Sequence, residues 1–198
     1  MNIATPSGPA RIDLDEPDTP SFLLVMTHGA NGGLATPDLL AVRAAGLALG
    51  GAVARVLQPF RLAGRRAPGP EARQDEAWLA VVAALRERYG DLPLIQGGRS
   101  NGARVACRTA LKASARGVIA LAFPLHPPGR PERSRADELY RAGVEVVVVN
   151  GERDPFGVPD PAPGVRVYVL PDDGHELARD PGQVARLVTG WLRRWAAS

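Results

Sequence analysis

The pentapeptide Gly98-Arg99-Ser100-Asn101-Gly102 has the form G-x-S-x-G, the pattern of a serine held on a sharp strand-to-helix turn. Such a turn pushes the hydroxyl clear of its surroundings. The two glycines remove side chains that would collide with neighbouring backbone. The chemistry on offer is acyl transfer, in which the serine attacks a carbonyl once a base takes its proton. The histidines are His28, His126 and His175. His126 and His175 follow Ser100 in the chain, the order expected for an elbow of this kind. His175 is the better base, because Asp172-Asp173-Gly174-His175 reads as a loop just after the last strand. The orienting acid should follow an earlier strand, as Asp154 does in Asn150-Gly151-Glu152-Arg153-Asp154-Pro155. Glu152, Asp160, Asp172 and Asp173 are rivals, with Asp173 disfavoured by its closeness to His175. A developing oxyanion needs two donors. The backbone amide of Asn101, at a positive helix N-terminus, is one. The amide of Ala30 in His28-Gly29-Ala30-Asn31-Gly32-Gly33 is the other, with Asn31 the near alternative. His28 is expected to brace that loop rather than move protons.

Those residues need a rigid frame, and the hydrophobic pattern describes one. Strands are expected at 10–14, 22–26, 52–57, 93–98, 118–123, 144–149 and 165–170, several of them continuous apolar runs suited to burial on both faces. Helices are expected at 37–50, 71–89, 101–115, 132–141 and 181–196. Trp78 falls on the apolar face of its helix and reads as core. Alternating strands and helices imply a three-layer αβα sandwich around a mainly parallel sheet of about six to seven strands, with right-handed crossovers. Residues 1–9, rich in Pro, Ser and Gly, read as a loose segment, and 10–198 as a single domain. Residues 58–70 read as a loop. The short stretch between the strands near 123 and 144 leaves little or no room for a lid. An open, shallow site bordered by the 58–70 and 124–135 loops is expected.

His28-Gly29-Ala30, Gly97 to Gly102, Gly151-Glu152-Arg153-Asp154-Pro155-Phe156-Gly157 and Gly174-His175 together resemble the α/β-hydrolase superfamily. More narrowly, with Phe123-Pro124-Leu125-His126-Pro127-Pro128-Gly129, the chain is similar to the compact dienelactone-hydrolase-like group that includes the testis-expressed hydrolase-like proteins. The resemblance covers about residues 10–196. It implies Ser100 as nucleophile, Asp154 as acid and His175 as base of a carboxylesterase-like serine hydrolase. Dienelactone hydrolases proper carry cysteine where Ser100 stands, so the resemblance does not extend to their substrate. The alternative is a catalytically silent scaffold or binding protein that keeps the fold.

Composition narrows the classes further. The net charge is +3 and the pI about 9.6, with arginine supplying almost all the bases. Clusters at Arg61, Arg65, Arg66 and at Arg130, Arg133, Arg135 are short. They form no basic stripe interleaved with aromatics, so no nucleic-acid partner is expected. Arginine at a site mouth would attract an anionic substrate. The single cysteine, Cys107, excludes an intrachain disulfide and fits a small buried core position. With no signal-peptide pattern and no apolar run long enough to span a bilayer, a cytoplasmic protein without a membrane partner is expected. The expected partner is a small-molecule acyl substrate, and the scheme calls for neither metal nor organic cofactor. Oligomeric state is not legible.

Overall fold

A computed structural model describes residues 1–197. Its sheet has the order β1-β2-β4-β3-β5-β6-β7-β8. The strands are β1 (Asn2–Ile3), β2 (Ala10–Asp15), β3 (Leu23–Thr27), β4 (Ala52–Leu57), β5 (Leu94–Arg99), β6 (Gly117–Leu121), β7 (Glu145–Gly151) and β8 (Val165–Leu170). Strands β3 to β8 pair in parallel, and β1 and β2 add antiparallel at one edge.

Side chains alternate across the sheet, so β3 sends Leu23 and Val25 into one core and Leu24 and Met26 into the other. Helices α1 (Pro37–Ala48) and α6 (Pro181–Ala196) cover the Leu24 side through Leu39, Val42, Val184 and Val188. On the Leu23 side, α3 (Glu71–Tyr89), α4 (Asn101–Thr109) and α5 (Ala136–Tyr140) contribute Trp78, Val105 and Leu139. The result is the three-layer αβα sandwich expected. Each fully buried Leu, Phe or Met in these cores contributes roughly 1.5–3 kcal/mol. Pro181 suits the first position of α6, where its missing N–H is no loss, and Asp180 caps that helix by accepting from the Gln183 amide at 2.9 Å.

The seven expected strands are present, and β1 makes the sheet eight-stranded. This corrects the reading of residues 1–9 as loose. Ile3 is buried, and Met1 exchanges backbone hydrogen bonds with Ile12 at 2.8 and 2.9 Å. A turn closed by Gly8 N–H on the Thr5 carbonyl returns the chain to β2. The 58–70 loop contains a four-residue helix, α2 (Pro59–Leu62), which Pro59 opens at its first position. Helix α4 is shorter than expected and gives way to turns after Thr109, with Ser114 at φ 54° reversing the chain. Helix α5 begins only at Ala136, because the Arg135 amide donates to the Leu125 carbonyl at 2.7 Å and holds the preceding residues in a loop. Residues 122–144 therefore hold a single five-residue helix and form no lid. Among the described residues no helix is long and apolar enough to cross a membrane.

Candidate active site

Strand β5 ends at Arg99 and α4 begins at Asn101, so Ser100 alone makes the turn between them. Its backbone sits at φ 52°, ψ −115°, a conformation that L-residues rarely adopt. A Cβ at Gly98 would fall 2.5 Å from the Gly102 carbonyl carbon, and one at Gly102 would fall 2.6 Å from the Thr27 oxygen. Both positions are therefore closed to any side chain. The Ser100 amide donates to Leu121 O at 2.9 Å, which ties the elbow to β6.

Three loops at the carboxyl ends of the strands bring the remaining groups to this serine. His175 Nε2 lies 3.0 Å from Ser100 Oγ. His175 Nδ1 lies 2.8 Å from Asp154 Oδ2. A carboxylate accepts and does not donate, so the proton sits on Nδ1 and Nε2 presents a lone pair to the serine hydroxyl. That is the tautomer a general base needs. The Asp154 side chain is wholly buried, whereas the His175 side chain is 14% exposed. Asp154 is in turn fixed by the Phe156 amide, which donates to Oδ1 at 2.9 Å, and by Asn150 Nδ2, which donates to Oδ2 at 3.3 Å. The Phe156 ring packs on the imidazole with centroids 4.3 Å apart.

Of the rivals for the acid, Asp160 is exposed and the other three have other partners. Asp172 pairs with Arg153, and Glu152 accepts from the Asp172 amide at 3.1 Å. Asp173 accepts from the amides of Gly174 and Arg179, closing the turn that presents His175. His126 contacts the Pro127 carbonyl. His28 braces its loop as expected: Nδ1–H donates to Gly29 O at 2.7 Å and Nε2 accepts from the Gln58 amide at 3.0 Å. Burial, helped by the Arg61 charge and opposed by the Gly29 bond, pushes its pKa down to about 4. Trp78 is core as expected, and its indole N–H donates to Gln96 Oε1 at 2.6 Å.

Ala30, Asn31 and Asn101 line the same cleft as Ser100 and His175, an open space of about 510 Å³. A Cβ on Gly29 would stand 3.1 Å from Ser100 Cβ, so the loop carrying Ala30 abuts Ser100. Pro68 and Pro124 form parts of the rim, which places both bordering loops where they were expected. Pro68 also closes a neighbouring cavity of about 150 Å³ lined by Pro59, Phe60 and Trp78.

Sequence reasoning missed several supports. Arg99, the variable residue of the elbow, is buried and contacts Asp38, Glu176 and the His175 carbonyl; nothing in the motif signals this. Asn150 was detectable in principle, being a polar residue that ends the apolar run of β7. Gly151 is required because a Cβ there would lie 2.4 Å from Asp173 O.

A family model described as "Alpha/beta hydrolase domain" matches residues 20–179. No curated protein matches the chain. Among solved structures, the chain is similar to an α/β serine hydrolase without lid from Xanthomonas campestris, at 20% identity, TM-score 0.77, and 98% and 93% coverage of the two chains. It is also similar to Est1E from Butyrivibrio proteoclasticus, solved with ferulic acid bound, at 17% identity, TM-score 0.76 and full coverage of both. An esterase from Pyrobaculum calidifontis aligns at 15% identity and TM-score 0.69, over 100% of this chain and 85% of that one. The elbow, the lidless parallel sheet and a family match spanning most of the sequence converge on one conclusion: the chain belongs to the alpha/beta hydrolase domain family.

Proposed function

We propose that this protein is a serine hydrolase that cleaves ester-type bonds in small acyl substrates. Ser100 Oγ attacks the carbonyl carbon while His175 Nε2 takes its proton. The tetrahedral oxyanion is held by the backbone amides of Ala30 and Asn101. The C–O bond to the leaving alcohol breaks as His175 returns the proton to that oxygen. Water, deprotonated by the same imidazole, then releases the acid from the acyl-enzyme. Asp154 holds the tautomer and stabilises the imidazolium. Neither metal nor cofactor takes part in these steps.

The observation that carries this reading is the unbroken relay, 3.0 Å from Oγ to Nε2 and 2.8 Å from Nδ1 to Asp154. The esterase neighbours support it at the level of fold. The lidless, open cleft favours short or water-exposed acyl groups over long buried chains. The single cysteine, buried, agrees with a reducing setting such as the cytoplasm.

The test is a fluorophosphonate probe read by intact mass, with Ser100→Ala alongside. One adduct on the wild type and none on the variant is expected. A well-folded wild type that takes no adduct overturns the hydrolase reading in favour of a silent scaffold.

A further inference from the structure

His175 has to be held to a fraction of an ångström from Ser100, because misplacement of a catalytic group by about 1 Å costs on the order of 100-fold in rate. Yet it rides on residues 171–180, which carry no regular secondary structure. Asp154 and Phe156 steady its ring. Among the described residues, the one hydrogen bond to its backbone comes from Arg99, whose Nη2 donates to the His175 carbonyl at 2.7 Å.

The same guanidinium reaches two further segments. Nη2 lies 2.8 Å from Glu176 Oε2, the residue after the base. Nε lies 3.0 Å from Asp38 Oδ2 in the first turn of α1. Nη1 stands 3.3 Å from where a Gly29 Cβ would project, against the loop that carries Ala30. The Arg99 side chain is 6% exposed and that of Asp38 fully buried. The Nε–Oδ2 contact has the distance of an ion pair but lacks hydrogen-bond alignment. Burial holds the Asp38 carboxyl above its ordinary pKa despite the cation beside it. A buried ion pair of this quality is a poor source of stability, and such pairs are best understood where they fix one arrangement.

We infer that Arg99 is a positioning residue: one buried guanidinium, seated on Asp38, sets the base loop and the Ala30 loop against the nucleophile that follows it in the chain. The inference rests on the hydrolase reading above for its catalytic consequence, but not for its structural one. Arg99 acts through His175 and the oxyanion loop and does not touch the reacting atoms.

Arg99→Met strands the Asp38 charge, so the decisive protein is Arg99→Met/Asp38→Asn, with Arg99→Lys as the conservative variant. Each is checked for folding by urea titration. Two readouts follow: kcat and KM on 4-nitrophenyl acetate, and the downfield NMR signal of the His175 Nδ1 proton. The double variant is expected to lose roughly 100-fold in kcat with KM changed far less, and to lose or broaden the Nδ1 signal. Arg99→Lys, which keeps the charge but not the fork, is expected to recover part of both. Wild-type kcat and an unchanged Nδ1 signal in a folded double variant overturn the inference, as does a loss that only tracks the unfolded fraction. A wild type that turns over no ester counts against the hydrolase reading. The Nδ1 signal then decides Arg99 by itself: lost in the variant it supports the positioning role, retained it refutes it.

Discussion

Acidification is expected to destabilise this fold through His28, well above the pH at which ordinary carboxylates protonate. His28 is fully buried, donates from Nδ1 to Gly29 O and accepts at Nε2 from the Gln58 amide. A second ring proton would displace the Gln58 bond and bring a charge into the interior. Burial accordingly pulls its pKa from 6.5 down to about 4. The unfolded chain therefore binds a proton that the folded one refuses over this window, and stability falls as pH falls. The contribution is present in full above pH 6.5 and lost on descending to about 4. Linkage makes the loss about 2 kcal/mol between pH 7 and 5, and about 3 kcal/mol by pH 4. Urea unfolding at half-unit pH intervals, on the wild type and on His28→Gln, measures it. The wild type should show the slope and the variant should lack it, so that their difference isolates His28 from groups titrating in both. An imidazole 13C titration should place the His28 midpoint near 4. A midpoint above 6, or parallel pH profiles for the two proteins, would refute the reasoning.

Three further outcomes are expected. Ser100→Gly should abolish probe labelling yet raise unfolding free energy by about 1 kcal/mol, since glycine adopts the Ser100 conformation without strain; a lower urea midpoint would count against that strain. Cys107 is fully buried and burial raises its thiol pKa, so a thiol reagent should label it only on unfolding, and stoichiometric labelling of the native protein would contradict the packing. Arg135 lines the cleft and, apart from donating to the Pro124 carbonyl at 3.3 Å, has no ion-pair partner among the described residues, whereas Arg104 there holds Glu71 and Glu138. Aryl hemisuccinates should therefore exceed matched neutral esters in kcat/KM by roughly tenfold, and Arg135→Gln should erase that ratio.

The order of elements was legible because the central strands are buried on both faces and must be apolar throughout. Val146-Val147-Val148-Val149 has no other plausible state. The elements that escaped were those whose composition argues against structure. Residues 1–9 look loose, yet Ile3 has a place in the core and the antiparallel edge accepts it. Pro59 reads as a loop residue but is well suited to open a helix.

The sequence by itself determined the elbow and its order of partners. The first glycine of G-x-S-x-G is a local steric requirement, because a Cβ at Gly98 would strike Gly102 and Ala103, whereas the second answers to the fold, because a Cβ at Gly102 would strike the distant Thr27 and His28 carbonyls. The ends of strands pointed to Asp154 but did not separate it from Glu152 after the same strand; the fold does, with Asp154 meeting His175 and Glu152 accepting from the Asp172 amide. What surrounds that relay was decided by tertiary structure alone. Arg99 meets His175 across 76 positions in the chain, and Asn150 grips the Phe123 backbone across 27. Neither partner could be named from periodicity, spacing or composition, even though Asn150 stands out as a polar end to an apolar run, since each contact exists only because parallel strands deliver their carboxyl ends to one edge of the sheet. Local sterics write themselves into neighbouring residues, while the geometry of this hydrogen-bonded relay is set by groups that only the completed sheet makes neighbours.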